Sequence, residues 1–196
     1  FSGELSLDGK LRSVSGILPT VLCAKSAGFK NVVVPKDNAD EAAIVEGVDI
    51  YPMESLDEVL HYIQHPENYA PYKINTSELF RKNSFYTDDF TEVKGQLTAR
   101  RCAEIAAAGM HNLLMIGSPG SGKTMIARRL PGIMPDMSLE EAIETTKIHS
   151  VAGLVKSAKD LKSTRPFFAP HHTSSNVSLI GGTSKTVPGQ VSLATN

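Results

Sequence analysis

The sequence is poor in cysteine, in long apolar runs and in net charge of either sign, and each shortage removes a class of protein. Cys23 and Cys102 are the only cysteines and stand outside any C-x-x-C or Cys/His cluster, which excludes a disulfide framework and a zinc ribbon or finger. That usage suits a reducing compartment, and a cytoplasmic chain is expected. No stretch approaches the ~18 uninterrupted apolar residues of a membrane span. Apolar runs such as Leu113 to Ile116 are strand-sized, so a soluble chain with no membrane partner is expected. The net charge of -1 advertises no global basic field for nucleic acid, although a local binding surface can hide inside a neutral total. Phe1-Ser2-Gly3 has neither the basic region nor the apolar core of a signal peptide and reads as a cut edge.

What is present suits an ordinary globular protein. With 41% hydrophobic and 21% charged residues, 196 positions make one large domain or two small ones and exclude a disordered or collagen-like chain. Along the first block, Glu4 to Leu7 and Leu11 to Val14 alternate around Asp8-Gly9, which predicts a hairpin. Pro19 opens a helix that Gly28 closes, and Val32 to Val34 follows as a buried strand. Asn38 with Glu41 reads as a capping box before Ala42 to Val45, in a helix ending at Gly47. Asp49 to Tyr51 is a short strand, and Ser55 with Glu58 caps a helix carrying Leu56, Val59, Leu60 and Ile63. In the second block, Gln96 to Ala108 predicts a helix, Leu113 to Ile116 a buried strand, and Met125 to Leu130 a second helix. Ser138 caps a third, with Glu140 and Glu141 in its first turn.

One motif carries chemistry. Gly117-Ser118-Pro119-Gly120-Ser121-Gly122-Lys123-Thr124 is a complete G-x-x-x-x-G-K-T loop between an apolar strand and a helix former. Successive backbone N–H groups of such a loop point at one centre and cradle a β-phosphate, and glycine is needed where a side chain would block the approach. Lys123 is expected to reach the β- and γ-phosphates of ATP or ADP, and the Thr124 hydroxyl to bind Mg²⁺. Background usage yields the pattern by chance in about one chain of this length in a hundred.

Other candidates are weaker. Asp89 to Gln96 lies one helix before the loop, where Val93 and Gly95 would wall a nucleotide base; the segment reads equally as a helix lead-in capped by Thr91. Arg100, Arg101, Arg128 and Arg129 read as solvated helix faces. His171-His172 has no third ligand at metal spacing and reads as a loop-ordering pair. After Met125 no four-residue apolar run ends in Asp or Glu, so the strand bearing a second Mg²⁺ ligand is expected beyond Asn196, and both ends read as truncated. The 196 residues alone are then expected to bind ATP without turning it over.

These residues resemble a known family. Asp89-Phe90 with Gly95-Gln96, the loop Gly117 to Thr124, Ala127 to Gly132, Thr146 to Gly153, Arg165-Pro166-Phe167, Ala169 to Thr173, Leu179 to Gly182 and Pro188 to Ala194 are similar to the magnesium chelatase-related AAA+ family called YifB or ComM. The resemblance implies an α/β P-loop NTPase of AAA+ type over 88–196, a parallel sheet with helices. Over 1–66 it implies the second half of a Lon-protease-type α+β domain of ribosomal protein S5 domain 2-like fold; between the two, 67–87 reads as a linker from its Pro and Asn residues and lack of sustained periodicity, with room for a short helix. The resemblance implies a hexameric ATPase that drives DNA branch migration during natural transformation. The alternative is a chelatase-type or protein-remodelling motor without DNA activity. Peptidase activity is not implied, since Gly16 to Thr20 lacks the Lys that Lon peptidases use there. Local departures are Gln190 where the family usually has Glu, Thr195 for His, and His149 for Tyr. The segment Ser174 to Val187, with Lys185, resembles the insert of chelatase-type proteins and is expected to touch DNA phosphates; a structural hairpin between subunits is the other reading.

Overall fold

The computed structural model describes residues 1–182 and 187–196, so the expected DNA contact Lys185 lies outside the described residues. The fold is mixed α/β, with two small two-stranded sheets and many helices among the described residues. β1 (Glu4–Leu5) and β2 (Leu11–Arg12) form the expected antiparallel hairpin, shorter than its alternation suggested, and Gly9 takes the left-handed φ of 80° in its turn. α1 (Ile17–Ser26) begins two residues before Pro19, which therefore sits in the first turn, where its missing N–H leaves no ladder bond unmade. β3 (Asn31–Pro35) and β4 (Asp49–Met53) pair in parallel, Val32 opposite Ile50 and Val34 opposite Pro52.

The crossover between β3 and β4 departs from the spacing reading. Asn38 and Glu41 do not form a capping box, and the helix that follows, α2 (Ala39–Ala42), ends five residues before Gly47. Asn38 instead bonds the backbone of Val14 twice, accepting its N–H at 2.9 Å and donating to its carbonyl at 3.0 Å. Glu41 is 2% exposed and accepts the Leu18 N–H at 3.1 Å and the Ser150 hydroxyl. The α1 N-cap, Gly16, has no side chain to offer, so Glu41 caps that helix from 23 residues downstream. Tertiary demand takes both side chains that a local cap would have used.

α3 (Leu56–Gln64) is capped by Ser55, which accepts from the Glu58 N–H, while Glu58 reaches back to the Glu54 N–H. α4 (Thr76–Asn83) docks on the main core through Leu79 and Phe80, with Ile74 just before it, and the buried Thr76 hydroxyl donates to the Ile44 carbonyl. α5 (Leu97–Gly109) precedes the glycine-rich loop. α6 (Lys123–Arg129) follows it and tightens into a 3-10 turn at Leu130–Ile133. α7 (Leu139–Val151) carries the expected capping box, Ser138 and Glu141 each accepting from the other's backbone N–H. α8 (Asn176–Ile180) and α9 (Gln190–Leu193) are short.

The main core joins Ile17, Leu18, Val21, Val34, Ile44 and Ile50 to Met137, Ala142, Ala158 and Leu161, so α1 and α2 share one apolar interior with α7. Each fully buried aliphatic side chain there contributes roughly 1.5–3 kcal/mol. A second, smaller core of Phe90, Val93, Ala103 and Ile126 lies under the glycine-rich loop.

Burial pushes the Glu41 carboxyl above the usual carboxylate range, with the bonds from Ser150 and Leu18 pulling partly back. The folded state therefore holds this proton more tightly than the unfolded chain. That contribution to stability is complete below the ordinary carboxylate range and is lost as pH rises through the elevated value. Glu41→Ala leaves two donors unpaired and is expected to lower stability by about 2–3 kcal/mol in chemical denaturation. Glu41→Gln keeps an acceptor, so it is expected to match or exceed the parent at neutral pH and to lose that advantage on acidification. A flat difference between the parent and Glu41→Gln across pH 4–8 would contradict the assignment.

Candidate nucleotide-binding site

The glycine-rich loop is a turn that only glycine can make at two places. Gly120 and Gly122 take φ of 77° and 88°, the left-handed region, and Gly122 passes the chain directly into α6. Pro119 to Met125 line one cavity of about 350 Å³, and Thr124 stands exposed on its wall at the second position of α6. Lys123 folds back across the loop: its Nζ donates to the carbonyls of Gly117 at 2.8 Å and Ser118 at 2.7 Å and to Ser121 Oγ at 3.1 Å. The structure thus brings Gly117 to Thr124 together in one turn with the ammonium at its centre. Larger cavities, of about 430 Å³ beside Lys30, Asp49 and Lys73 and about 490 Å³ beside Lys36, Asp40 and Glu58, lie away from this loop.

The segment before the loop is held against it. Gln96, with a left-handed φ of 50°, donates its side-chain amide to the Ser121 carbonyl at 3.3 Å. Val93 is fully buried in the small core, so its side chain serves packing, while Lys94 and Gly95 are exposed. Asp89, rather than Thr91, caps the short 3-10 turn Phe90–Glu92 by accepting the Thr91 N–H at 2.8 Å, and that bond holds the Asp89 carboxyl below its usual range.

Arg101 and Arg128 are exposed as expected, and Arg101 pairs with Glu104. Arg129 is not: its side chain is 13% exposed and bonded to Glu92 and to the Asp89 carbonyl. The acidic run Asp88, Asp89 and Glu92 signals a cationic partner, but nothing in the spacing chooses Arg129 over Arg128. Arg100 lies over the Phe90 ring at 5.9 Å.

Leu113 to Ile116 pairs with no other strand among the described residues, unlike the sheet expected there. Its burial nevertheless alternates as in a strand, Leu113 and Met115 facing the small core while Leu114 and Ile116 are exposed. A ladder requires a neighbouring backbone, and the described residues place none alongside.

Away from the loop, several polar side chains are structural. His149 is buried and donates from Nε2 to the Leu193 carbonyl at 3.0 Å, and burial pushes its ring below the usual imidazole range. Arg165 is also buried, donating to the carbonyls of Pro135 and Asn196. The His171 and His172 rings stack 4.1 Å apart, and His171 Nδ1 bonds Thr173, which makes a turn of the pair. No group of three or more His, Cys, Asp or Glu side chains at metal-binding distance occurs among the described residues. No helix among them is long and apolar enough to cross a membrane.

Comparison with known proteins adds the kinship. The family described as magnesium chelatase, subunit ChlI, matches residues 89–196, and the family described as subunit ChlI of Mg-chelatase matches residues 1–38. An uncharacterized protein of Mycobacterium tuberculosis is 45% identical over 193 residues, 98% of this chain and 38% of its own length. The competence protein ComM of Haemophilus influenzae is 40% identical over 197 residues, again 38% of its own length. A Lon protease of Azorhizobium caulinodans is 33% identical over 73 residues, 34% of this chain. The chain thus spans little more than a third of the curated relatives that it matches along its whole length. On the match across 89–196 and the whole-chain identity to ComM, the chain belongs to the magnesium chelatase-related family.

Proposed function

We propose that Gly117 to Thr124 binds ATP or ADP with Mg²⁺, and that the full-length protein is an ATPase of AAA+ type working as a hexameric ring that remodels DNA. The observation that carries the nucleotide site is the convergence of Lys123 Nζ on Gly117, Ser118 and Ser121 inside a turn whose glycines leave the backbone bare. The donor set fits the ligand. A phosphate chain offers the ammonium stronger, charged acceptors than the two carbonyls it now holds, and the Thr124 hydroxyl stands on the same cavity wall for the metal. When bound, Mg²⁺ neutralises the phosphate oxygens and aligns them for transfer. Lys123 then holds the β- and γ-phosphates, the loop amides orient them, and Thr124 holds the metal. Lys123 and Thr124 are the catalytic residues of this reading.

DNA as substrate is supported by kinship to a competence protein and by the resemblance noted above. The family description favours a second reading, a chelatase-type motor without DNA activity. ATP-dependent unwinding of forked or four-way-junction DNA by the full-length protein supports the first; ATP hydrolysis indifferent to DNA supports the second.

Lys123→Ala is expected to abolish detectable ATP binding in calorimetry, because it removes charge-assisted contacts worth ~1.5–3 kcal/mol each. Unchanged affinity would refute the site. For DNA, the insert Ser174 to Val187 is proposed to contact phosphates through Lys185. Six weak contacts in a ring sum to useful affinity. Lys185→Glu is then expected to weaken DNA binding and flatten its salt dependence while hexamers still form. Hexamers with unaltered, salt-dependent binding would make the insert an assembly element instead.

A further inference from the structure

Arg129 is the most heavily engaged cation near the loop among the described residues, and nothing in the P-loop chemistry requires it. It ends α6, the helix that Lys123 begins, and its guanidinium reaches back across the small core to the segment preceding α5. Nε donates to the Asp89 carbonyl at 3.0 Å and to Glu92 Oε2 at 3.1 Å, Nη2 also bonds Glu92, and Nη1 donates to the Met125 carbonyl at 3.2 Å. Asp88 lies 3.8 Å from Nη2. The contact is close in the backbone as well: a Cβ added at Gly132 would stand 3.3 Å from the Asp88 carbonyl. At the other end of the segment, Gln96 is bonded to the Ser121 carbonyl of the loop itself. Residues 88–96 are therefore fastened at both ends to the loop and its helix, with Val93 buried between the fastenings and the backbone at Lys94 and Gly95 exposed.

We propose that Arg129 is a positioning residue for the nucleoside end of the ligand: with Glu92 it fixes the 93–95 backbone as the base-facing wall relative to the phosphate loop. The inference rests on the nucleotide site proposed above and assigns a task that the loop cannot perform. The loop recognises phosphates, which every nucleotide and inorganic polyphosphate shares. A wall at a fixed distance from the phosphates distinguishes a ligand that carries a base from one that does not, because a mobile wall loses base contact without changing the phosphate contacts. A planar guanidinium suits the task, since it bonds Glu92, a backbone carbonyl and its own helix at once; an ammonium is a point charge that cannot span all three.

The test uses the full-length protein and two probes, MgATP and magnesium tripolyphosphate, each measured by displacement of a fluorescent ATP analogue. Arg129→Gln and Glu92→Gln are each expected to weaken ATP about tenfold while leaving tripolyphosphate within about twofold. The double variant is expected to be no weaker than either single, as for two ends of one contact. Arg129→Lys should recover part of the loss, and the change should fall on KM for ATP rather than on kcat. Equal loss of both probes would make Arg129 a prop of α6 and overturn the proposal, as would retention of full ATP affinity. If Arg129→Gln fails to fold, Glu92→Gln decides alone, because its carboxylate is more than half exposed and its loss leaves Arg129 bonded to the Asp89 and Met125 carbonyls. If the unaltered protein binds neither probe, the nucleotide site fails and this inference falls with it. If it binds both and the variants show no contrast, this inference alone fails.

Discussion

A single buried carboxylate organises the larger half of the structure. A charged or polar group removed from water must be given partners, and Glu41 is given two from different parts of the chain, the α1 backbone at Leu18 and the α7 hydroxyl of Ser150. Gly16 then donates its N–H to the Ser150 carbonyl, so the start of α1 and the end of α7 are joined by backbone as well as by side chain. Around this node lies the core of Ile17, Leu18, Ile44 and Ala142. The other bonds of α7 tie down the chain's last residues, through His149 to Leu193 and Thr145 to Thr195. α7 is thus the shared spine of the hairpin block and of the residues beyond the loop.

The proposed phosphate site rests on a different and smaller interior. Phe90, Val93, Ala103 and Ile126 form the floor on which α6 and the loop lie. That floor is thin, and ion pairing supplements it: Arg129 to Glu92 spans the same elements that the apolar contacts join. Lys123 completes the local order by bonding the loop's own carbonyls, so the group proposed to hold phosphate also shapes the turn that would receive it.

What could be read from the sequence was what local physics dictates. A glycine-rich turn that bares its amides, a serine accepting the N–H of a glutamate three residues on at a helix start, and a hairpin around Asp8-Gly9 are each decided within a few residues. Ser138 to Glu141 and the β1–β2 turn follow their spacing accordingly. Asn38 to Glu41 has the same spacing as Ser138 to Glu141 and a different fate, because Val14, Leu18 and Ser150 compete for those side chains. Nothing within four residues records that competition. Arg129 was illegible for the same reason, since adjacent Arg128 is solvated and only the folded position of Glu92 separates them. Leu113 to Ile116 shows another limit: its continuous apolar run predicts a buried strand, yet Leu114 and Ile116 are exposed and no ladder forms among the described residues, because covering and pairing depend on a second segment.

In the proposed function the loop 117–124, and not one of the larger cavities, receives a nucleotide's phosphates. Amide hydrogen exchange of the full-length protein with and without MgADP is the decisive measurement, because bound phosphates would be held by backbone N–H groups of the loop. Slowed exchange confined to 117–124 and the adjoining 93–96 is the predicted result. Unchanged exchange in the loop, or protection centred instead on the cavity beside Lys30, Asp49 and Lys73, would contradict it.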